Sequence, residues 1–152
     1  MNIAIGTDHG GFALKQVVID ELKKQGHVVI DCGARSLEPG DDYPDFAREV
    51  GTVIQRGDAE RGIVICGSGV GASIAATKMR GIRAAVCHDT YSAHQGVEHD
   101  NMNVLCLGAR IVGAELAKEL VRAFAAAKFS GEERHVRRVS KVMEIERTQG
   151  DQ

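Results

Sequence analysis

Five short runs rich in β-branched residues alternate with longer segments of helical period, and this alternation limits the possible folds more than any other feature of the chain. The runs occupy residues 2–6, 27–32, 62–66, 82–87 and 103–107; the helical segments occupy 12–25, 44–56, 70–79, 90–97, 113–128 and 133–147. Strands joined through helices pair in parallel, and such crossovers wind right-handed. The pattern therefore predicts an α/β fold, a three-layer α/β/α sandwich around a five-stranded parallel, Rossmann-like sheet, with ligands bound beyond the carboxyl ends of the strands. With 152 residues, 43% of them hydrophobic, residues 1–152 read as one domain that buries roughly 70% of its unfolded surface. One long loop, residues 33–43, holds Pro39-Gly40 and two aspartates, and loops of that length in compact domains are often functional.

The net charge of −2 supplies no overall positive field for a phosphate backbone, so no nucleic-acid partner is expected. No basic leader precedes an apolar run, and no segment approaches the roughly 18 apolar residues of a membrane span. A cytoplasmic protein with no membrane association is expected. The four cysteines, Cys32, Cys66, Cys87 and Cys106, lie 34, 21 and 19 residues apart, which fits neither a redox pair nor a zinc knuckle. Cys32, Cys87 and Cys106 lie in or at the ends of apolar runs and read as small buried hydrophobes.

Cys66 differs, because Gly62-Ile-Val-Ile-Cys66 runs into Gly67-Ser68-Gly69-Val70-Gly71-Ala72, a strand entering a glycine-rich turn and then a helix. Backbone N–H groups in such a turn converge on an anion, and a thiol at that place is favoured as thiolate by the helix dipole. This suits a general base or a nucleophile. A cysteine-dependent phosphatase loop needs arginine six residues after the cysteine, where this chain has Ala72. Gly67-x-Gly69-x-x-Ala72, with Asp89 22 residues after Gly67, matches a loose dinucleotide fingerprint, but the chain has no room for a separate substrate domain. A tight turn around a buried cysteine is the bland reading.

Asp8-His9-Gly10-Gly11 places a carboxylate and an imidazole at the end of the first strand, suited to bonding sugar hydroxyls or a ring oxygen. His94, His99 and Asp100 are expected between the fourth helix and the fifth strand, with His99 the best candidate for an acid or base. Arg134 and Arg138 share one face of the last helix, a spacing that a bound oxyanion favours and that a solvated basic face also explains. Arg110 adds a cation just past the fifth strand.

Together these residues resemble the ribose-5-phosphate isomerase type B family, which includes galactose-6-phosphate and allose-6-phosphate isomerases. The likeness runs from Asp8-His9-Gly10-Gly11-Phe12 through Asp42-Tyr43-Pro44, Cys66-Gly-Ser-Gly-Val-Gly71, Gly81-Ile-Arg-Ala, Asn103-Val-Leu and Gly108-Ala-Arg110 to Arg134-His-x-x-Arg138. It implies aldose-ketose isomerisation of a phosphorylated sugar, ribose 5-phosphate to ribulose 5-phosphate in the pentose phosphate pathway, with Cys66 moving the proton. Gly67, Ser68, Gly69, Val70 and Gly71 would hold the enediolate oxygen, His99 would open the ring, and Asp8 and Tyr43 would bond the sugar. His9, Arg110, Arg134 and Arg138 would surround the phosphate. The resemblance further implies a homodimer or homotetramer with shared active sites, the helix at 133–147 serving a neighbour, and no metal or organic cofactor. Position 68 is Ser where many relatives carry Thr, and Asp100 stands where the family usually has Asn. Isomerases of tetrose or hexose phosphates, a dinucleotide-binding protein and a non-catalytic sugar-phosphate binder are the alternatives.

Overall fold

Side chains along a strand alternate between faces, and in this chain that alternation sorts the apolar residues into two cores. Ile3, Ile5, Ile63, Ile65, Leu105 and Leu107 belong to one; Ala4, Val64, Cys66, Val104 and Cys106 belong to the other. Strands buried on both faces read as continuous apolar runs, which is how these read. The computed structural model describes residues 1–149. In chain order the elements are β1 (Asn2–Thr7), α1 (Phe12–Lys24), β2 (Val28–Asp31), α2 (Tyr43–Gln55), β3 (Arg61–Cys66) and α3 (Val70–Ala76). There follow β4 (Ala84–Val86), α4 (Thr90–Asp100), β5 (Val104–Gly108), α5 (Ala114–Ala126) and α6 (Glu133–Gln149).

The sheet is parallel throughout, in the order β2-β1-β3-β5-β4. From β1 the chain moves outward to β2, and from β3 it moves outward the other way. Right-handed crossovers therefore put α1 and α4 on one face and α2 and α3 on the other, giving the expected three layers. Apolar residues of α1, α4 and α5, among them Val18, Val97 and Phe124, pack with the larger core. Ala47 and Val50 of α2 and Ala72 and Ala76 of α3 pack with the smaller. Among the described residues no helix is long and apolar enough to cross a membrane.

Most boundaries differ from expectation by one to three residues, and three of the differences have a visible cause. α3 stops at Ala76 rather than residue 79, because the next amides bond three residues back, Lys78 to Ala75 and Met79 to Ala76, and the Thr77 hydroxyl donates to the Ser73 and Ile74 carbonyls. β4 is only three residues long, since side-chain bonds replace the ladder before it: the Arg83 amide donates to Asn103 Oδ1 at 2.8 Å. α4 continues to Asp100 and ends at Asn101, which takes the left-handed conformation at φ 50°. His94, His99 and Asp100 thus lie on the helix itself, not in a junction after it. Cys87 and Cys106 are buried as expected, while Cys32 is only half-buried.

Candidate functional site

The strand order reverses between β1 and β3, and a crevice opens there beyond the strands' carboxyl ends. β1 delivers Asp8 and His9 to it, β3 delivers Cys66, and β5, which pairs Gly108 with Cys66, delivers Arg110. Asp8, His9, Tyr43, Cys66, Ser68 and Arg110 line a pocket of about 360 Å³, with Gly10, Gly67, Gly71 and Ile111 between them.

Cys66 is 4% exposed, and its Sγ accepts the N–H of Gly69 at 3.1 Å. That contact needs the chain to turn back on the sulfur, and Gly69 does so at φ 81°, a conformation open to glycine. Ser68 Oγ accepts the Val70 N–H at 3.3 Å. Gly69 and Val70 therefore shape the turn, while Gly67 and Gly71 face the pocket. A Cβ at position 71 would lie 2.6 to 3.0 Å from Tyr43 ring carbons, so the absence of a side chain lets α2 lay its first residue against the start of α3. The Arg110 amide donates to the Gly67 carbonyl at 3.0 Å, which fixes the arginine beside the turn.

Asp8 is 5% exposed and its Oδ1 accepts the Gly11 N–H at 3.0 Å, closing the turn into α1. Asp41, one of the two aspartates of the long loop, accepts from the His9 backbone N–H at 2.9 Å and lies 2.7 Å from His9 Nδ1. The Asp41 bond, with help from Asp8, raises the His9 pKa above its ordinary value despite some burial. Asp8, His9 and Asp41 are the group among the described residues whose donor atoms, within 4.8 Å of one another, could hold a metal ion. Both carboxylates already engage protein donors, so the arrangement reads as an ion pair.

His99, Asp100, Arg134 and Arg138 are not in this pocket. A crossover helix runs antiparallel to the strands, so the end of α4 lies at the amino edge of the sheet, opposite the crevice. α5 ends at the same edge, where Arg61 of β3 donates to the carbonyls of Phe124, Ala125 and Ala127, and α6 begins from there. His99 stacks on His135 with ring centroids 4.1 Å apart, and Gln95 Nε2 lies 2.9 Å from His99 Nδ1. His135 is 2% exposed and bonded to Ser130 Oγ; burial, reinforced by His99, lowers its pKa. Arg134 is exposed and pairs with Glu132, and Arg138 is exposed on the same helix. Asp100 borders an apolar cleft of about 520 Å³ shared with Ile82, Met102 and Met143. Asp89, the acidic residue of the dinucleotide fingerprint, instead caps α4 by accepting the Ser92 N–H at 2.7 Å.

Known proteins share this fold. The family model described as Ribose/Galactose Isomerase matches residues 3–142. The chain belongs to the ribose/galactose isomerase family. It is 46% identical over 144 residues to ribose-5-phosphate isomerase B of Escherichia coli strain K12, covering 95% of each chain. It is 43% identical over 131 residues to D-erythrulose-4-phosphate isomerase of Pectobacterium atrosepticum, covering 86% of each. The crystal structure of ribose-5-phosphate isomerase B from Mycoplasma genitalium with bound ribulose 5-phosphate superposes with a TM-score of 0.90 at 40% identity, over 96% of both chains. This chain is accordingly a sugar-phosphate isomerase.

Sequence reading missed Asp41, although the long loop that carries it stood out. His9 and Asp41 are 32 residues apart, and nothing local pairs them.

Proposed function

We propose that this isomerase interconverts ribose 5-phosphate and ribulose 5-phosphate through an enediolate, with Cys66 as the base. The observation that carries the reading is the Cys66 sulfur, set at the sheet's switch point in a pocket that also holds Asp8, His9, Tyr43 and Arg110. The thiolate takes the proton from C2 of the open-chain aldose; the released pair forms the C1–C2 double bond, and the carbonyl pair moves onto O1. A proton then passes from O2 to O1, and the sulfur returns its proton to C1, leaving the ketose. Amides of the 67–71 turn other than those bonded to Cys66 and Ser68, together with the Ser68 hydroxyl, offer donors to the oxygen that becomes negative, and one such donor contributes roughly 2.7 to 4 kcal/mol. Asp8 and Tyr43 bond sugar hydroxyls, and His9 and Arg110 take the phosphate.

Ring opening by His99, and phosphate contacts from Arg134 and Arg138, require a second copy of the chain, because in one copy these residues stand at the opposite edge of the sheet. The working unit is then a homodimer or homotetramer with shared sites, and Asp100 approaches the partner's pocket beside His99. The proposed steps use these side chains and amides alone. The names of the Escherichia coli and Mycoplasma genitalium relatives support the pentose; the Pectobacterium relative supports a tetrose phosphate as second reading.

Incubation with tetrose, pentose and hexose phosphates in D2O, followed by NMR, tests the reading. Fastest interconversion of ribose 5-phosphate, with deuterium entering the substrate, is the expected result. Fastest turnover of a tetrose phosphate moves the assignment to that sugar, and binding without exchange makes the chain a sugar-phosphate binder.

A further inference from the structure

His9 sits on the pocket wall; its carbonyl accepts the Phe12 N–H at 3.4 Å, while its backbone N–H and its ring both meet one carboxylate. Asp41 Oδ1 accepts from the His9 backbone N–H at 2.9 Å and meets its ring Nδ1 at 2.7 Å, so both the backbone and the ring plane are set by the same atom. The Asp41 side chain is 15% exposed, and its second oxygen, Oδ2, is buried without a hydrogen-bond partner. A carboxylate with one oxygen left unpaired away from water is costly unless a full positive charge stands beside it. The His9 ring is the group at that carboxylate that can carry such a charge. Because Nδ1 is taken by Asp41, the ring nitrogen left for a ligand is Nε2, which in the imidazolium is a charged donor suited to an oxyanion.

We propose that Asp41 is a positioning residue for the substrate's phosphate: it aims His9 and keeps it cationic, so that Nε2–H can donate to a phosphate oxygen. The inference rests on the reading of this pocket as a sugar-phosphate site and adds a residue to it. The groups facing His9 are Asp8 at the end of its own strand, Asp41 from the loop before α2, Arg110 after β5, and the Cys66 thiol and Tyr43 phenol across the pocket. Asp8 and Asp41 favour the imidazolium; Arg110 opposes it. The raised pKa agrees with this arrangement, its largest cause being the bond to Asp41.

Asp41→Asn keeps an oxygen for both His9 bonds and removes the charge. Titration of the His9 ring by NMR in the free enzyme should show its pKa fall in the variant. Steady-state kinetics on ribose 5-phosphate should show KM rising about five- to tenfold at pH 8, far less at pH 6 where the imidazole protonates unaided, and kcat changing much less than KM. Asp41→Glu, which restores the charge, should recover part of the loss. An unchanged His9 titration, or an equal loss at pH 6 and pH 8, would overturn the proposal and leave Asp41 a structural loop contact. If the titration shifts as expected while the wild type turns over no sugar phosphate, the coupling stands and the functional reading fails instead.

Discussion

Inactive variants of this isomerase should restore each other's activity. Each strand of β3 length spans six residues, about 20 Å at 3.3 Å per residue, and Cys66 lies at one end of that span while His99 and α6 lie toward the other. No side chain bridges that gap, so a site that uses both must draw them from two copies. In a two-fold dimer each site then pairs Cys66 of one protomer with His99 of the other. Cys66→Ala and His99→Ala homodimers each carry two broken sites. A mixed dimer carries one site with both lesions and one with neither. Random exchange makes half the dimers mixed, so about a quarter of the wild-type sites should return. The assay is ribose 5-phosphate turnover after the two variants are co-expressed, with light scattering to confirm the assembly. Cys66 and His99 both lie within ordered elements, and neither truncation removes more than one side chain's packing. A mixture that stays inactive although mixed dimers are demonstrated, or a chain that is fully active as a monomer, would refute the shared site.

Other substitutions probe the remaining parts. Cys66→Ser, nearly isosteric and a far weaker acid, should abolish proton exchange at C2 while thermal unfolding and ligand binding stay close to wild type; turnover within a few-fold of wild type removes Cys66 as the base. Gly71→Ala drives a methyl into the Tyr43 ring, which should cost about 1 to 3 kcal/mol in stability or displacement and lower kcat/KM, read by denaturant melts and kinetics. Glu21 of α1, buried, accepts from half-exposed Arg122 of α5 at 2.7 Å, and this bond, with one from Gln25, depresses its pKa to about 2. A depressed carboxylate pKa adds stability that is full above the unfolded value and is lost as pH falls through the folded one. Glu21→Gln should therefore cost on the order of 1 to 2 kcal/mol at pH 7, with the difference from wild type in urea melts closing as pH drops from about 4.5 to about 2. If Asp100 of a second copy reaches the enediolate, its carboxylate opposes the developing charge and Asp100→Asn should raise turnover of ribose 5-phosphate; a loss on that sugar shows it serving a hydroxyl, and an unchanged rate on every sugar phosphate places it outside the site.

How much of this protein is written locally is plain from β3 and its turn. Apolar residues in sequence make Ile63, Val64 and Ile65 a strand buried on both faces, and the glycine spacing after Cys66 is sufficient to place a thiol at a strand end with the Gly69 amide turned onto it. The same holds for α2, where Pro44 stands in the first turn, two residues after Asp42. Period and turn chemistry act over a few residues, so they are legible without the fold. What only the tertiary structure decided lies at longer range. Whether α4 stopped at residue 97 or ran on to Asp100 depended on where Asn101 could turn left-handed against β5. The partner of His9 came from a loop 32 residues away, because the order of β1 and β2 in the sheet brings residues 33–42 over the end of β1. The division of the expected site into two groups at opposite edges follows from helix direction in a parallel sheet, a property of the assembled layers that no stretch of sequence carries alone.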